Sequence, residues 1–434
     1  MYTILMKTFY RILGNTLIAS FTNNFVWFAL TFWAYLETKS VLATSVIAGI
    51  YLVTTALSSI WFGSIVDHHK KKSAMILSSF VTLLFFALGF FVYISFPEST
   101  FQSISNPIFW SVILLLMFGV TAGNIRNIAV PTTVTILVEE DRRDKANGLS
   151  GSMFGISFAL TSVASGIALA NLGMFGVLLI SLVCTVITIV HMFTISIPEK
   201  DIVHVAGTSK KIDIRGTIAV IAAIPGLFAL IFFNSLNNFL GGVFMSLMDA
   251  YGLSLVSVQT WGFIWGGLSL GFILGGIIIA KKGLGKSPLR TIFIANIAMW
   301  IVSIFFTIQA SIILLTVGMF IWICLVPFVE AAEQTVIQKV VPADRQGRVF
   351  GFAQSVEQAA SPITAFLIGP LAQFVFIPFM TTGSGVELIG DWFGTGTGRG
   401  IALVFIATGI LGLILTIFAM RSNPAKLLAK EYQK

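Results

Sequence analysis

Eleven residues, Gly63-Ser-Ile-Val-Asp67-His68-His69-Lys70-Lys71-Lys72-Ser73, separate two long apolar runs and decide how the chain folds. The runs cover residues 41–66 and 73–96, and each exceeds the roughly 20 residues that a helix needs to cross a bilayer core. Because the connection is short, the two helices must be antiparallel neighbours. Its three lysines predict that this loop stays in the cytoplasm, since short cytoplasmic loops carry an excess of basic residues.

The composition indicates a polytopic membrane protein. Of the residues, 56% are hydrophobic and 10% are charged, and the mean hydropathy is +0.95, whereas a soluble domain carries roughly 25% charged residues. The formal net charge of +8 is therefore attributed to membrane topology, and no nucleic acid is expected as a partner. The cysteines and histidines form no cluster and no Gly-x4-Gly-Lys-Ser/Thr motif is present, so neither a metal nor a cofactor is predicted.

Apolar windows bounded by charge, glycine or proline predict about twelve spans. They cover approximately residues 13–36, 41–66, 73–96, 107–130, 149–170, 174–197, 224–248, 258–280, 288–310, 312–336, 350–374 and 400–420. The predicted domains are an N-terminal half (1–197), a cytoplasmic linker in which an interfacial helix could form (198–223), a C-terminal half (224–421) and a cytoplasmic tail (422–434). All basic residues except Lys39, Arg126 and Arg399 then fall on one side, which predicts that both termini are cytoplasmic.

Polar motifs recur between the two halves. Asn23-Asn24-Phe25 in the first span returns as Asn237-Asn238-Phe239 in the seventh, and the loop after span 4 matches the loop after span 10. In these loops, at a constant offset of 203 residues, an aspartate, an arginine, a second base and a glycine coincide. Six spans separate the copies, so the halves have the same orientation in the membrane, as in transporters with parallel repeats.

The first loop resembles the loop between helices 2 and 3 of the major facilitator superfamily, Gly-x-Leu-Ala-Asp-Arg-x-Gly-Arg-Lys. Gly63, Asp67, Lys71 and Lys72 fit this pattern, with His68 in place of the arginine. The segments 341–352, 369–372, 378–380 and 396–400 look like the bacterial branch of macrolide-efflux-type drug:proton antiporters. The resemblance implies an all-α membrane protein, with twelve transmembrane helices in two pseudo-symmetric six-helix halves. It also implies a bacterial cytoplasmic (inner) membrane location and no enzymatic activity.

One antiporter signature is missing. The pattern expected in span 5, Gly-x3-Gly-Pro-x2-Gly-Gly, is absent, because residues 149–170 contain only Gly151, Gly155 and Gly166 as glycines and no proline. Export and proton antiport are therefore implied by the branch resemblance and not by this signature.

A few ionisable residues lie inside the predicted spans, where charge is costly and functional roles are common. Arg126 lies in span 4, Glu330 and Glu333 in span 10, and Glu357 in span 11. The 203-residue offset makes Asn127 the counterpart of Glu330, so a base and an acid lie at similar depth in repeat-related helices. We predict these four residues to form a proton-coupling or gate site, with Glu330 as the carrier.

Three readings of Arg126 and Glu330 stay open. Burial favours a neutral carboxyl and a nearby arginine favours its anion, so protonation of Glu330 could break a pair with Arg126 and open the cytoplasmic side. Alternatively the pair is a gate latch that does not titrate, or the side chains reach the interface without pairing. Glu333 and Glu357 lie closer to the cytoplasmic boundary and are weaker candidates.

The predicted substrate cavity combines amides and aromatic rings. Asparagines in a membrane need hydrogen-bond partners, and rings can stack on a bulky apolar or cationic ligand. The alternatives are interhelical hydrogen bonding for the amides and interfacial anchoring for the rings. The candidates are Asn23, Asn24, Trp27, Phe28, Asn237, Asn238, Trp261 and Trp265.

The charged loops are predicted to form a conformational charge relay that holds one state of the protein. Their alternative is ordinary solvated loop charge. The residues assigned to this relay are Gly63, Asp67, Lys71, Lys72, Asp141, Arg142, Asp344 and Arg345.

The sequence thus favours a secondary active transporter, expected to be a monomer, that exports an amphiphilic drug or macrolide-like compound in exchange for protons by alternating access. Its expected partners are a small amphiphilic molecule, protons and membrane lipids. Alternatives are an exporter of a siderophore-like metabolite, a polytopic lipid-modifying enzyme, or a membrane receptor without turnover.

Overall fold

The computed structural model describes residues 2–38, 41–199 and 213–434, and in these ranges the chain is helical, with no β-strand. Its α-helices are α1 (Tyr2–Thr38), α2 (Val41–His68), α3 (Lys71–Ser95), α4 (Pro107–Gly123), α5 (Ile125–Leu137), α6 (Arg143–Phe193), α7 (Ile214–Ala223), α8 (Leu227–Leu253), α9 (Val258–Leu268), α10 (Leu270–Lys282), α11 (Pro288–Phe305), α12 (Ile312–Val340), α13 (Gln346–Leu371), α14 (Ile377–Thr381), α15 (Ser384–Phe393), α16 (Thr397–Arg421) and α17 (Asn423–Gln433). Short 3-10 turns cover Glu98–Phe101 and Glu140–Arg142, and a π-helical turn covers Ala372–Phe376.

The number of spans agrees with the predicted twelve. Eleven helical stretches in the described residues are long and apolar enough to cross a membrane, and one of them, Glu140–Phe193, has 54 residues. A straight helix of that length would extend about 80 Å, far beyond a hydrocarbon core of roughly 30 Å. The backbone breaks at Gly173, whose φ of 63° is left-handed. This stretch therefore supplies two spans, as the sequence predicted.

Several span ends differ from the prediction, because helices continue beyond their apolar windows. Helix α1 begins at Tyr2, so Lys7 and Arg11 lie within the first helix and not ahead of it. Span 4 continues from α4 through α5 to Leu137, seven residues beyond the predicted end. Span 12 begins at Thr397, so Arg399, predicted to be a loop residue, lies in the first turn of α16.

Helix starts carry the expected local signals. Asn106 precedes α4, where its side-chain oxygen accepts the backbone N–H of Ile108 at 3.0 Å, and Pro107 follows at the first helical position. Ser287 and Pro288 do the same at α11. A side-chain cap followed by proline satisfies backbone N–H groups that have no partner inside the helix.

Part of the predicted linker, 198–223, lies outside the described residues. Residues 200–212, which include Lys200, His204, Lys210 and Lys211, belong to this part, as does Lys39 between the first two spans. From residue 213 onward the linker is described, and it contains helix α7. The side chain of Asp213 accepts the backbone N–H of Gly216 at 2.7 Å and so caps the helix. The membrane-surface position of this helix stays a prediction.

The described chain divides into two compact units. Unit 1 comprises residues 1–146, 153–220 and 337–355, and unit 2 comprises residues 147–152, 221–336 and 356–434. The predicted domain boundaries in the linker and before the tail stay predictions. The tail itself is helical, since α17 covers most of it and Leu428 packs against Gly226 at the start of α8.

Unit 1 has its apolar core between α1, α3 and α4. The closest packing joins α3 to α4, where Gly89 lies against Leu116 and Gly119 lies against Phe86. Small residues at such contacts allow helix backbones to approach closely, which supplies much of the packing energy in a membrane.

In unit 2, glycines allow the same close helix packing between α11 and α16. Gly409 lies against Ile304, and Gly412 lies against the ring of Trp300. At the other end of α16, buried Arg399 donates to the carbonyls of Thr307 and Ile308 at 3.0 and 2.8 Å, just after α11 ends. These carbonyls carry the negative end of the helix dipole and so compensate the guanidinium charge.

Candidate functional site

Three carboxyl side chains of unit 2 lie on two neighbouring spans. Glu330 and Glu333 are one turn apart on α12, and Glu357 is on α13. The carboxyl groups of Glu333 and Glu357 interact directly, and Glu330 is close enough to both to affect them electrostatically. Glu330 is exposed, whereas Glu333 and Glu357 are half-buried. The structure thus brings the three predicted acids into one group, which we call the acidic cluster.

The acidic cluster contains polar atoms that are buried without a hydrogen-bond partner of good geometry in the described chain. They are Oε1 of Glu333 and Oε1 of Glu357. Asn234 of α8 lies beside Glu333 and is only 4% exposed, and neither its amide nitrogen nor its amide oxygen makes a hydrogen bond of good geometry in the described chain. Unpaired buried polar groups are costly and concentrate at functional sites, where protons, water or ligands complete the bonding.

A proline shapes the helix just before the cluster. Pro327 lies inside α12, one turn before Glu330. Because proline has no N–H, it leaves the carbonyl of Ile323 without its helical partner and favours a kink at this point. The acids of span 10 therefore follow a locally weakened turn of the helix.

Arg126, the predicted partner of Glu330, lies in unit 1. It is 2% exposed and lies on α5. Its guanidinium donates to Oδ1 of Asn15 at 2.9 Å and to Oγ of Ser79 at 2.8 Å. Both partners are neutral. The predicted pairing of Arg126 with Glu330 stays a prediction, since the two residues belong to different units.

The asparagines predicted to line the substrate cavity have different environments. In unit 1, Asn23 is half-buried and lines a small polar cavity that also contains Arg126, whereas Asn24 is half-buried on the same helix. In unit 2, Asn237 accepts the indole N–H of Trp300 at 3.0 Å and donates to the carbonyl of Phe233, so its amide joins neighbouring helices. Asn238 is exposed.

The aromatic candidates of unit 1 form a continuous wall. Trp27 lies edge-on to Phe28 with ring centroids 4.9 Å apart, and Phe28 contacts Phe158 of α6 at 5.4 Å. Tyr51 of α2 is 6.0 Å from Trp27. The indole N–H of Trp27 is buried without a hydrogen-bond partner in the described chain. This wall therefore combines packed aromatic rings with one unpaired donor.

The aromatic candidates of unit 2 are engaged with an acid. Trp261 and Trp265 both donate their indole N–H to Oδ1 of Asp249, at 2.9 and 3.2 Å. Trp261 is 5% exposed and belongs to the apolar core of unit 2, whereas Trp265 is 39% exposed. Of the two, Trp265 has the surface that a ligand could reach.

The predicted charge relay contains one strongly bound carboxylate, Asp67. Its side chain is 0% exposed and accepts the backbone N–H groups of Gly347 and Arg348 at 2.6 and 2.9 Å. The side chain of Arg348 adds an ion pair at 3.3 Å. Gly63 permits this approach, because a Cβ there would meet the carbonyl oxygen of Gly347. We call this contact between the end of α2 and the start of α13 the Asp67 lock.

Lys71 and Lys72 lie at the start of α3, where a distant acid caps the helix. Their backbone N–H groups donate to the carboxylate of Glu199 at 2.5 and 3.1 Å. The Lys71 ammonium donates to the carbonyl of Val66 and that of Lys72 to the carbonyl of Phe193. A carboxylate at a helix N-terminus is favoured by the helix dipole.

The other relay candidates lie in more solvated positions. Asp141, Arg142 and Asp344 are exposed, and half-buried Arg345 pairs with its neighbour Asp344 at 3.4 Å. The ordered contacts come from adjacent residues that the prediction did not select. Arg143 donates to the carbonyls of Thr135 and Gln338, and Gln346 donates to the carbonyls of Gln338 and Val341. Only their position beside the matched motif could have indicated them.

A family comparison decides the class of protein. The model of the Major Facilitator Superfamily matches residues 12–365 of this chain. The chain belongs to the major facilitator superfamily. It is therefore a multi-pass membrane protein of a transporter family, and the predicted all-α fold of twelve spans is confirmed.

Individual relatives are distant. Macrolide efflux protein A of Streptococcus pyogenes is 21% identical over 383 residues, which cover 83% of this chain and 88% of that protein. Among solved structures, a bacterial homologue of the iron transporter ferroportin, in an outward-facing state, has a TM-score of 0.67 at 14% identity and covers 96% of this chain and 100% of its own. The proton:xylose symporter has a TM-score of 0.66 at 10% identity, with coverages of 94% and 95%. At these identities the solved structures establish the fold alone.

Proposed function

We propose that this superfamily member is a proton-coupled exporter of amphiphilic, macrolide-like compounds. The acidic cluster carries the proposal: three carboxyl groups interact within one unit, and buried oxygens of two of them lack partners. The similarity to a macrolide efflux protein supports the substrate class and the direction. The proposed location is the bacterial inner membrane, with both termini in the cytoplasm and with the monomer as the working form.

The carboxyl groups provide a way to bind and release a proton. Two adjacent carboxyls are easier to hold together with a proton between them than as two anions, so Glu333 and Glu357 share one. Exposed Glu330 is the group through which water exchanges that proton. Because the ligands of this proton are on α12 and α13, protonation changes how these two spans pack, which couples the proton to alternating access.

The aromatic wall is the proposed substrate contact of unit 1, and Trp265 is the proposed substrate contact of unit 2. Trp27, Phe28 and Tyr51 present rings to a bulky apolar surface, and the free indole N–H of Trp27 donates to an oxygen-rich ligand. Macrolide-like compounds combine a large apolar surface with many oxygen acceptors. The wall therefore fits the class of substrate that the distant relative indicates.

The Asp67 lock supplies the conformational control in this proposal. It holds the start of α13, the span that also carries Glu357, against the end of α2. A change in α13 on protonation would therefore act on the lock through the same helix. The predicted latch between Arg126 and Glu330 is retained as a further contact that forms in one state of the cycle.

The test is substrate flux in proteoliposomes of known orientation, with and without an imposed pH gradient. A macrolide and a fluorescent lipophilic cation are the two probes, and Glu330→Gln is measured beside the wild type. Glu387→Gln is the matched control, because Glu387 is an exposed acid on α15 outside the cluster. We expect gradient-driven flux that Glu330→Gln reduces at least about tenfold, a loss of ~1.4 kcal/mol or more in coupling, and that Glu387→Gln leaves unchanged.

Two outcomes would overturn the proposal. Flux that does not respond to the pH gradient would make the protein a facilitator. Flux of neither probe would move export of a siderophore-like metabolite ahead of drug export.

A further inference from the structure

Unit 1 contains a buried cation whose charge is not neutralised within that unit. Arg126 has no ion pair with any acidic side chain of unit 1 in the described residues, and its two hydrogen-bond acceptors are an amide and a hydroxyl. A guanidinium has five N–H donors, so most of them remain available. A buried charge without a partner is strongly unfavourable, and proteins supply a counter-charge or a ligand in such places.

Side chains from several helices fix the orientation of Arg126. Asn15 of α1 donates from Nδ2 to the carbonyl of Thr188 at 2.8 Å and approaches Nδ1 of His191 at 3.2 Å. This arrangement directs Oδ1 of Asn15 towards Arg126, while Ser79 of α3 holds the other side of the guanidinium. Two hydrogen bonds from different helices therefore hold the cation in place.

A small cavity lined mainly by residues with polar groups adjoins the guanidinium. Apart from Ala19 and Gly123, its lining side chains all carry hydroxyl, amide or guanidinium groups: Thr22, Asn23, Ser78, Ser79, Thr82, Arg126, Thr185 and Thr188. Thr22, Thr185 and Thr188 each donate to a carbonyl one turn earlier in their own helix. Such local bonds are easily exchanged for a bond to a ligand.

The other buried arginine, Arg399, shows how this protein compensates a buried positive charge. Arg399 of unit 2 donates to two backbone carbonyls at the end of α11 and lies 3.8 Å from the ring centroid of Phe393. Carbonyl dipoles and a ring face both stabilise a cation. Arg126 has neither of these supports among its described contacts, and it has a cavity instead.

We infer that the cavity beside Arg126 binds a small monovalent anion, with chloride as the expected occupant. Arg126 supplies the charge and the principal donors, Asn23 adds an amide, and the rotatable hydroxyls complete the coordination. The anion neutralises the guanidinium of Arg126 whenever no carboxylate reaches it. This site does not depend on the proposed transport activity, because binding can be measured on a protein that transports nothing.

The experiment is a chloride titration of the purified full chain in detergent, at constant ionic strength with gluconate as the replacement anion. The thermal unfolding temperature and the width of the chloride-35 resonance are the two readouts. A ligand that binds only the folded protein raises the unfolding temperature with its concentration. We expect a saturable rise with chloride, a smaller one with acetate, and resonance broadening that bromide reverses by competition.

Two variants test the assignment to Arg126. Ser79→Asp places a carboxylate at the position of a hydroxyl that is 2.8 Å from the guanidinium, so it should supply an internal counter-charge and abolish the chloride effect. Arg399→Lys is the matched control at a compensated arginine, and it should retain the chloride effect even if its unfolding temperature is lower.

The inference is overturned if wild-type protein shows no saturable effect of chloride in either readout. It is equally overturned if Ser79→Asp binds chloride as the wild type does. An acetate effect larger than the chloride effect would assign the cavity to the carboxylate group of an organic substrate and would remove the inorganic anion from it.

Discussion

Both units contain carboxyl groups that are at least half-buried. The hydrogen bonding of these groups differs between the two units. In unit 1, Asp67 is completely buried and accepts three N–H groups from Gly347 and Arg348. In unit 2, Glu333 and Glu357 face each other, and each has a buried oxygen without a partner. The bonds that Asp67 accepts hold the start of α13 in place, whereas adjacent acids that lack donors favour a shared proton. The first arrangement suits a lock, and the second suits a proton carrier.

The same contrast predicts that substitutions at the two kinds of carboxyl group have different effects. One kind should lower stability, and the other should lower transport. Neutralising a fully bonded carboxylate removes contacts that hold the backbone. Neutralising an acid of the cluster keeps the shape of the side chain and removes only its ability to exchange a proton. The four predictions below test this distinction.

The largest effect is expected from the double substitution Glu333→Gln and Glu357→Gln. It should reduce export driven by a pH gradient by about a hundredfold, ~2.7 kcal/mol, because the shared proton has no site. The yield and unfolding temperature of the variant should stay close to those of the wild type, since two amides can hydrogen-bond where two acids required a proton. Proteoliposome flux and a thermal unfolding curve measure the two quantities. A large loss of folded protein would show that the cluster is structural.

Asp67→Asn should weaken the lock without touching the cluster. An amide offers one acceptor oxygen and places an NH2 group against a backbone donor, and a hydrogen bond to a charged group contributes about 1.5–3 kcal/mol. Amide hydrogen exchange at Gly347 and Arg348, followed by mass spectrometry, should therefore be at least about tenfold faster. Asp344→Asn is the control, because Asp344 is exposed and pairs with its own neighbour. Unchanged exchange in Asp67→Asn would contradict the lock.

Gly63→Ala should affect the same contact through its shape alone. The added Cβ would meet the carbonyl oxygen of Gly347 and lie 3.1 Å from Cα of Arg348. Overpacking of this kind costs about 1–3 kcal/mol, which should appear as a lower unfolding temperature. Gly14→Ala is the matched control within unit 1, since nothing lies within 4 Å of the added Cβ. If both variants have the same unfolding temperature, the close approach at Gly63 does not contribute to stability.

The smallest effect is expected at an exposed acid of unit 1. Glu140 pairs with Lys339 at 2.6 Å, and its side chain is 57% exposed. Exposed ion pairs contribute up to about 1 kcal/mol and are screened by salt. Glu140→Gln should therefore lower stability only slightly, and the difference from wild type should vanish in high salt. A loss of stability that does not depend on salt would show that Glu140 behaves like a buried acid and not like an exposed one.

The fold could be predicted because membrane spans can be recognised in a sequence by their length and their apolar composition. All twelve spans were recognised, including the pair separated at Gly173, where the apolar run continues but a glycine permits a turn. Helix ends were less accurate at α1 and α5, because the helices continue beyond their apolar windows through polar residues such as Arg11 and Thr135. Helix α15 was missed, although its apolar residues recur with helical spacing from Val386 to Phe393.

The candidate site was predictable only where it depends on rare residue types. Acids inside apolar runs are few, so Glu330, Glu333 and Glu357 could be selected, and the structure brings them together. Asn234 could not be selected, because many asparagines occur in these spans and only packing places this one beside Glu333. Glu199 was missed for the same reason: it caps α3 from more than a hundred residues away.

The most direct test of the proton-carrier role is proton movement driven by substrate alone. Proteoliposomes with a trapped pH indicator receive a macrolide gradient and no pH gradient, and internal pH is recorded for wild type and for Glu330→Gln. We predict that protons move against the substrate in the wild type and that this movement is lost in Glu330→Gln. Proton movement of equal size in both proteins, or substrate movement without protons in the wild type, would contradict the role of the acidic cluster.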